Sequence, residues 1–587
     1  MKRIINILLI TLPLLLMQMS CTEDWLKPKP LSFYSPENVY VDEAGFRALL
    51  TTLRKDIKYE YYDVYNLSML EFSASDLGIP TFQPDWTQLT PSGSFYLHLS
   101  MFNKAYEFIK NANVAVSRID NIEWKDQQVR NSILAEALFF RSYWYYRLVN
   151  SYGDIPWVGE EISGAKLDFQ TYSRWAIIDK IQRDMEFAVK WLPEKAAIGF
   201  VTKYAGLHLL TEIYLANTEF DKAIASATEV INGPYALMTT RFGSWATDKK
   251  RNVLWDLHRV ENKGLAANKE AIFITIDRFV APADAKASLG TFTMRNFVPS
   301  WWTIPDKTGG RGFDWNLAMG DTIGQGNSDS NANYFQSHSV WSEFGYNWKN
   351  TPDLRRCDIN WVEMEELTFN NPKSPNYKQK CTWEYLIDKA DTTWMWRAFP
   401  IYKTFVDPKF GRPEGRPRGG NGDYYVFRLA ETYLLRAEAY FWKNQLALAA
   451  ADINMVRQRS KANPISSGDV TIDYIFHERA RELYTEERRH NEMVRVSNIM
   501  AKLNLSGYSL NNISEKNWYY DRVMKYNNWY SEPRYSRIGG PKAFISPYNI
   551  YWPIPQSIIN ANTMGRINQN IGYQGAENNV PPIETIE

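Results

Sequence analysis

Apolar residues recur at three- and four-residue intervals through 100–120 and 131–150, the spacing that gathers side chains on one face of an α-helix. In the second stretch Leu134, Leu138, Arg141, Tyr145 and Leu148 fall near one stripe, with Ala135, Ala137 and Ser142 as small contacts. The pattern stops at Tyr152-Gly153-Asp154-Ile155-Pro156, where Gly offers a turn past the last helical residue and Pro withholds a donor. Two later stretches repeat each other. In 205–231, Tyr214 precedes Ala223 by nine residues, and Ala227 and Val230 follow; in 431–457, Tyr440 precedes Ala449 by nine, and Ile453 and Val456 follow. An aromatic, a short turn, Ala, then apolar residues at +4 and +7 is the pattern of a tetratricopeptide-type helix pair, in which small residues let the helices approach closely. The two units lie 226 residues apart, so they form no contiguous solenoid in sequence; something large is inserted in a helical scaffold.

That insertion runs over 232–423 and is rich in Gly, Asn, Pro and Trp. Short alternating runs such as 271–276 predict a few strands at most. Residues 321–339 read as surface loop, and 411–422 (GRPEGRPRGGNG) as a second, basic flexible segment. An irregular region this long is uncommon unless it is functional. The expectation is a mainly α protein: a leader over 1–20, a helical part over 21–231, a loop-rich insertion with a few short strands over 232–423, and a second helical part over 424–587.

The leader has its own logic. Lys2 and Arg3 precede an apolar stretch over 4–17, too short to cross a ~30 Å hydrocarbon layer comfortably and weakened as a helix by Pro13. It reads as a secretory signal peptide. Cys21 directly follows Ser20 and resembles the cysteine of a bacterial lipobox, whose thiol is diacylated and becomes the mature N-terminus, although Gln18 and Met19 depart from the usual residues. Acyl chains anchor at ~0.8 kcal/mol per buried CH₂ without any transmembrane helix. Cleavage nearby with Cys21 unmodified is the alternative. Beyond it only Cys357 and Cys381 remain; an exported chain meets an oxidising compartment, so a disulfide between them and two buried thiols both stay open.

Composition adds charge and aromatics to this picture. Across 587 residues, 67 Lys and Arg face 66 Asp and Glu, so no global field attracts nucleic acid or an anionic membrane. The 22 Trp, 36 Tyr and 29 Phe exceed what a core needs and point to a recognition surface. Residues 290–350 hold five of the tryptophans, Trp301, Trp302, Trp315, Trp341 and Trp348, interleaved with Arg295, Asn296, Asp306, Asp314, Asn316, Tyr346 and Asn347. A pyranose lays its C–H face on an aromatic ring and offers its hydroxyl edge to such polar groups. Trp86 sits on a Pro-flanked loop, TFQPDWTQ, before the helix that starts near His98. The candidate carbohydrate-binding residues are therefore Trp86, Trp301, Trp302, Trp315, Trp341, Arg295 and Asn296; their competing role is to fill the junction between insertion and helices. Trp144 and Trp442 are embedded in helix pattern and read as core.

Catalysis is the weaker reading. Glycoside hydrolysis usually needs two carboxylates ~5–10 Å apart, and Glu438, Glu478 and Glu482 lie on amphipathic helices beside arginines, where ion pairing accounts for them. No G-x-S-x-G, H-E-x-x-H or P-loop motif occurs. Six scattered His, at 98, 208, 258, 338, 477 and 490, give no zinc spacing, and no 12-residue calcium loop is present, so no metal or cofactor is assigned.

Several segments together resemble the SusD/RagB family of Bacteroidetes outer-membrane glycan-binding lipoproteins. They are Trp25-Leu26-Lys27-Pro28 behind Cys21, Ala135-Glu136-Ala137 through Arg141 to Tyr152-Gly153-Asp154-Ile155-Pro156, and Asp423 to Glu431 through Leu435-Arg436-Ala437-Glu438-Ala439. The arginine-rich 478–495 and the closing Trp552-Pro553-Ile554-Pro555 through Gln569-Asn570-Ile571-Gly572-Tyr573 complete the set. Thr485 to Glu492 and Ile571 depart from the family pattern, and the middle matches weakly apart from the turn Asn350 to Arg355. The resemblance implies a tetratricopeptide-like scaffold and no enzyme activity. It further implies a lipid anchor at Cys21 in the outer membrane facing the extracellular surface, where Thr22-Glu23-Asp24 resembles a surface-export signal. The implied function is glycan capture and delivery to a SusC-like TonB-dependent transporter. Peptide import, as in the RagB branch, and a surface glycoside hydrolase are the alternatives.

Overall fold

The computed structural model describes residues 36–62, 67–79, 89–93, 96–297, 304–314, 335–336, 348–361, 366–381, 402–410, 419–527, 530 and 544–587. The N-terminal half carries α1 (Glu43–Asp56), α2 (Leu67–Ser73), α3 (Tyr96–Arg118), α4 (Gln127–Tyr152), α5 (Arg174–Trp191), α6 (Lys203–Ala216) and α7 (Phe220–Ile231). Short α8 (Val253–His258) and α9 (Thr293–Phe297) follow, then α10 (Leu429–Trp442), α11 (Leu446–Arg459), α12 (Ile472–Leu483), α13 (Arg489–Lys502), α14 (Trp518–Tyr526) and α15 (Gln556–Ala561). The six described strands are β1 (Gly78–Ile79), β2 (Ile155–Pro156), β3 (Thr171–Tyr172), β4 (Ala271–Thr275), β5 (Phe335–Gln336) and β6 (Tyr424–Arg428). They pair antiparallel, two by two: β1 with β5, β2 with β3 and β4 with β6. Among the described residues no helix is long and apolar enough to cross a membrane.

Helix α4 departs from the single-stripe expectation. Asp126 caps it by accepting from Gln128 N at 2.7 Å, and Gly153, at φ +68°, ends it by donating to Val149 O at 3.2 Å. Between Ala135 and Tyr152 every side chain is buried, because α1, α3, α5 and α13 pack around it. A helix enclosed on all sides has no polar face, so its charged residues need buried partners. Arg141 meets Asp184 at 2.6 Å, and Arg147 meets Glu60 at 2.5 Å and Glu71 at 3.1 Å.

The two repeat units do form helix pairs, α6 with α7 and α10 with α11, with Ala223, Ala227 and Ala449 fully buried at the close approaches. In space α7 packs directly on α10, so pairs far apart in sequence stack as neighbours. Arg436 on α10 donates to Thr228 on α7 at 2.9 Å. The insertion thus leaves and re-enters a continuous helical stack. Its return is fixed by a strand, since β4 pairs with β6 from Ala271↔Arg428 to Thr275↔Tyr424, across a bulge.

The described parts of 232–423 are less irregular than their composition suggests, because they own an apolar core. Trp255, Phe297, Phe313, Trp361, Phe369, Cys381, Tyr402 and Phe405 cluster there with Phe72 and Tyr484. Cys357 and Cys381 stand as two thiols and no disulfide joins them. Cys357 Sγ donates to Leu354 O at 3.1 Å and accepts from Asn252 at 3.4 Å, whereas Cys381 is held inside the apolar cluster, its N donating to Leu367 O.

Candidate functional site

Trp86, Trp301, Trp302, Trp315 and Trp341 lie outside the described residues, as do Cys21 and the side chains of Arg295 and Asn296. The backbone leading into these segments is described, and it converges. Strand β1, which runs into the Trp86 segment, pairs with β5, which lies between Trp315 and Trp341, in the register Gly78↔Gln336 and Ile79↔Phe335. Helix α9, which carries Arg295 and Asn296 and precedes Trp301, packs beside β5. Its Phe297 meets Phe72 of α2 edge-on at 5.2 Å, and Phe72 meets Tyr484 the same way at 5.3 Å. Described elements that flank three of these stretches in sequence, β1, β5 and α9, therefore meet at one small sheet.

The entry to Trp315 is also clamped. Asp314 N donates to Asn370 Oδ1 at 2.7 Å, and Asn370 Nδ2 returns a bond to Asp314 O at 3.3 Å. Phe313 packs on Phe369 with ring centroids 4.9 Å apart. Gly312 must be glycine here, because a Cβ would sit 2.2 Å from the Phe369 ring. Asp306 accepts from Thr308 N, Thr308 Oγ1, Gly310 N and Ser374 Oγ, and these bonds hold its carboxyl below the usual range. It is a turn-former here, and its oxygens are consumed by the loop.

A buried charge network ties this region to the helical stack. The turn at 350–355 delivers Arg355 to Asp353 at 2.7 Å, Glu478 at 2.8 Å and Glu482 at 3.0 Å. Arg428, at the end of β6, meets Glu270 at 2.8 Å, Glu482 at 2.6 Å and Glu486 at 2.8 Å, and Arg459 of α11 joins Glu270 and Glu482. Burial alone would raise the Glu478 and Glu482 carboxyls. The surrounding arginines win and hold both well below the usual carboxylate range. Glu438 is likewise paired, with Arg495 at 2.7 Å. These carboxylates are counter-ions, which disposes of them as catalytic candidates.

Of the five tryptophans in 290–350, Trp348 is the one described, and it is structural: Nε1 donates to Asp353 at 2.9 Å and the ring meets Trp361 at 5.7 Å. Trp144 is buried in the helical core against Phe108, and Trp442 is half-buried, stacked on Phe220, with Nε1 bonded to Glu438. Histidine spacing hid one cluster. His208 and Glu212, one turn apart on α6, meet Glu431 of α10 with ligand atoms within 4.8 Å of one another. His208 Nδ1 is bonded to Thr432, Glu212 to Arg488 and Glu431 to Arg479. Two guanidiniums at the carboxylates oppose a cation, and the cluster belongs to the ion-paired core. Only the third partner, from the distant repeat, was invisible in sequence.

A family model described as the SusD family matches residues 269–573, just over half of the chain. The chain belongs to the SusD family. A second model, described as "Starch-binding associating with outer membrane", matches residues 50–215. The starch-binding protein SusD of Bacteroides thetaiotaomicron is 35% identical over 164 residues, 28% of this chain and 24% of that protein. SusD-like protein P2 of Formosa agariphila is 25% identical over 229 residues, 37% of this chain and 45% of that one. The chain spans less than half the length of these two relatives. Among solved structures, surface glycan-binding protein A of Bacteroides thetaiotaomicron in complex with laminarihexaose superposes with a TM-score of 0.62 at 16% identity, covering 91% of this chain and 100% of that one. The SusD architecture, mainly helical with short two-stranded sheets, is what the likeness establishes.

Proposed function

We propose that this SusD-family protein is a surface lipoprotein that binds an oligosaccharide and hands it to a SusC-like TonB-dependent outer-membrane transporter. The single observation that carries the binding reading is the convergence at β1 and β5. Strand β1 leads into the segment bearing Trp86, α9 precedes the one bearing Trp301 and Trp302, and β5 lies in sequence between Trp315 and Trp341; these three described elements meet, which supports the reading. Stacked rings with a rim of amides bind sugars through their C–H faces, weakly per ring because free sugars are well hydrated. The relatives' own ligands, starch and laminarihexaose, support a glucan-like class for the trial panel. The protein works by binding and not by catalysis, consistent with its family and with the paired state of Glu438, Glu478 and Glu482. The anchor at Cys21 and the transporter partner remain part of the proposal.

Isothermal titration of the purified protein against starch, laminarin and xyloglucan oligosaccharides, with a peptide panel alongside, tests it. Saturable binding of at least one oligosaccharide supports the reading. Binding of peptides with every sugar silent overturns it in favour of peptide import, and release of reducing ends from any glycan overturns the non-catalytic claim.

A further inference from the structure

At the far end of α13 from the β1–β5 region, a cavity of about 330 Å³ opens between the start of α5 and the closing part of the chain. Arg489, in the first turn of α13, is bonded to Asp76 just before β1. Asn498, nine residues further along the helix, lines the cavity, so roughly 14 Å of helix separates the two places. The volume lies at the lower end of the ~300–1,000 Å³ range of small-molecule sites.

The walls are fixed by the chain's own bonds. Ser173 caps α5 by accepting from Ala176 N at 3.2 Å, and Asp154 Oδ1 accepts from Arg174 N at 2.8 Å. The closing chain is pinned beside β3, where Ile583 N donates to Thr171 O and Ser173 N to Ile583 O, both at 2.9 Å, and this sets the exposed Glu584 at the rim. Val580 is held through both backbone groups by the Asn568 side chain, at 2.6 and 3.0 Å. Three half-buried rings line the space, Trp175, Tyr548 and Tyr551. Tyr551 donates to Asn498 Oδ1 at 2.7 Å, and Tyr548 meets Tyr573 edge-on at 5.2 Å.

The groups left unspent define the ligand. Among the described residues, the Trp175 indole N–H, the Glu584 carboxylate and Asp154 Oδ2 have no hydrogen-bond partner. Arg174, which also lines the cavity, is 1% exposed and spends one nitrogen on Asn150 at 2.5 Å. Its Nε and Nη1 are buried with no partner among the same residues, and buried donors in that state call for an acceptor. The charges balance: Arg174 and Lys502, whose Nζ lies 4.2 Å from the Trp175 ring centroid, stand against Asp154 and Glu584. A site with no net charge, mixed donors and acceptors, and flat rings suits neither an anion nor a lone ammonium. It suits a saccharide unit, whose C–H face stacks on a ring and whose hydroxyls both donate and accept.

We infer that this cavity is a second saccharide-binding site, distinct from the β1–β5 region. Trp175 and Tyr548 offer the rings, Asp154 and Glu584 accept from hydroxyls, and the Trp175 indole N–H donates to one. For its ligand class the inference rests on the sugar-binding reading; for its place it does not.

NMR of the full chain with isotope-labelled tryptophan, titrated with starch, laminarin and xyloglucan oligosaccharides, tests this. The Trp175 indole resonance is assigned by its loss in Trp175→Phe. The expected result is a saturable shift of that resonance, which Val580→Phe, at a 43% exposed position on the rim, abolishes. Glu584→Ala is the second variant in case the first lowers the melting temperature, and it should weaken the shift's affinity about 10-fold or more, as loss of a hydrogen bond to a charged group does. A Trp175 resonance that stays in place with every sugar overturns the inference, whether or not those of Trp301 and Trp302 move. Movement of Trp175 while Trp301 and Trp302 stay in place supports it and overturns the β1–β5 reading alone. A shift that survives both substitutions, or one driven by amines such as free lysine and by no neutral sugar, overturns it too.

Discussion

Glu482→Gln is the sharpest probe of how the described part of 232–423 is held to the helical stack. Glu482 is 2% exposed and serves three cations from three parts of the chain, Arg355 at 3.0 Å, Arg428 at 2.6 Å and Arg459. Losing one partner of a buried pair costs ~3–5 kcal/mol. Here the lower end applies. Arg355 keeps Asp353 and Glu478, Arg428 keeps Glu270 and Glu486, Arg459 keeps Glu270, and Gln still offers one carbonyl oxygen. The expected loss is ~3 kcal/mol, a large share of a typical 5–15 kcal/mol stability. Urea denaturation followed by intrinsic fluorescence measures it. Adding Arg459→Met to Glu482→Gln should recover part of the loss, because one uncompensated charge is then gone. The sign of the acid dependence follows from the same contacts. Arginines hold the Glu482 carboxyl below its unfolded value of ~4.3, so its contribution is full above that pH and fades as pH falls toward the folded value. The gap between wild type and Glu482→Gln should therefore narrow below about pH 4. A loss under ~1 kcal/mol at pH 7, or a gap that widens in acid, would mean that Glu482 does not hold the three arginines.

Asp56 behaves in the opposite way, since burial pushes its carboxyl up to about 7 against the bond from Asn111 at 3.1 Å. Wild type loses that group's contribution as pH rises from its unfolded ~3.9 to about 7, so Asp56→Asn should be the more stable protein at pH 8 by ~1.4 kcal/mol or more, and chemical denaturation at pH 5 and 8 checks the crossover. Trp144→Ala should cost ~3–5 kcal/mol and lower the melting temperature, because the ring is 1% exposed between Phe108 and Tyr143. Trp144→Phe should cost less than half as much, since the buried Trp144 Nε1 has no hydrogen-bond partner to lose.

The helical scaffold was legible because small and aromatic residues at fixed offsets mark close helix pairs, and Ala223, Ala227 and Ala449 sit where that spacing puts them. The stripe on α4 was misread because a helix packed on every side has no polar face to give its period away. The stacking of α7 on α10 and the meeting of His208 and Glu212 with Glu431 depend on residues over two hundred positions apart, which no local pattern encodes. Strands β1 and β5 are two residues long, too short for alternation to register, so their pairing was silent in sequence. Composition also over-counted. Trp348 shares its neighbours' window but spends its indole N–H on Asp353.

The most direct test of the central claim is calorimetric titration of the best oligosaccharide from the panel into wild type and the Trp301→Ala/Trp302→Ala double variant, with melting temperature measured on both. Removing one stacked ring should cost ~1–3 kcal/mol, about 5- to 150-fold in affinity, and two rings should take binding below detection while the melting temperature stays put. Unchanged affinity in the double variant, or binding lost only together with the fold, would contradict the account.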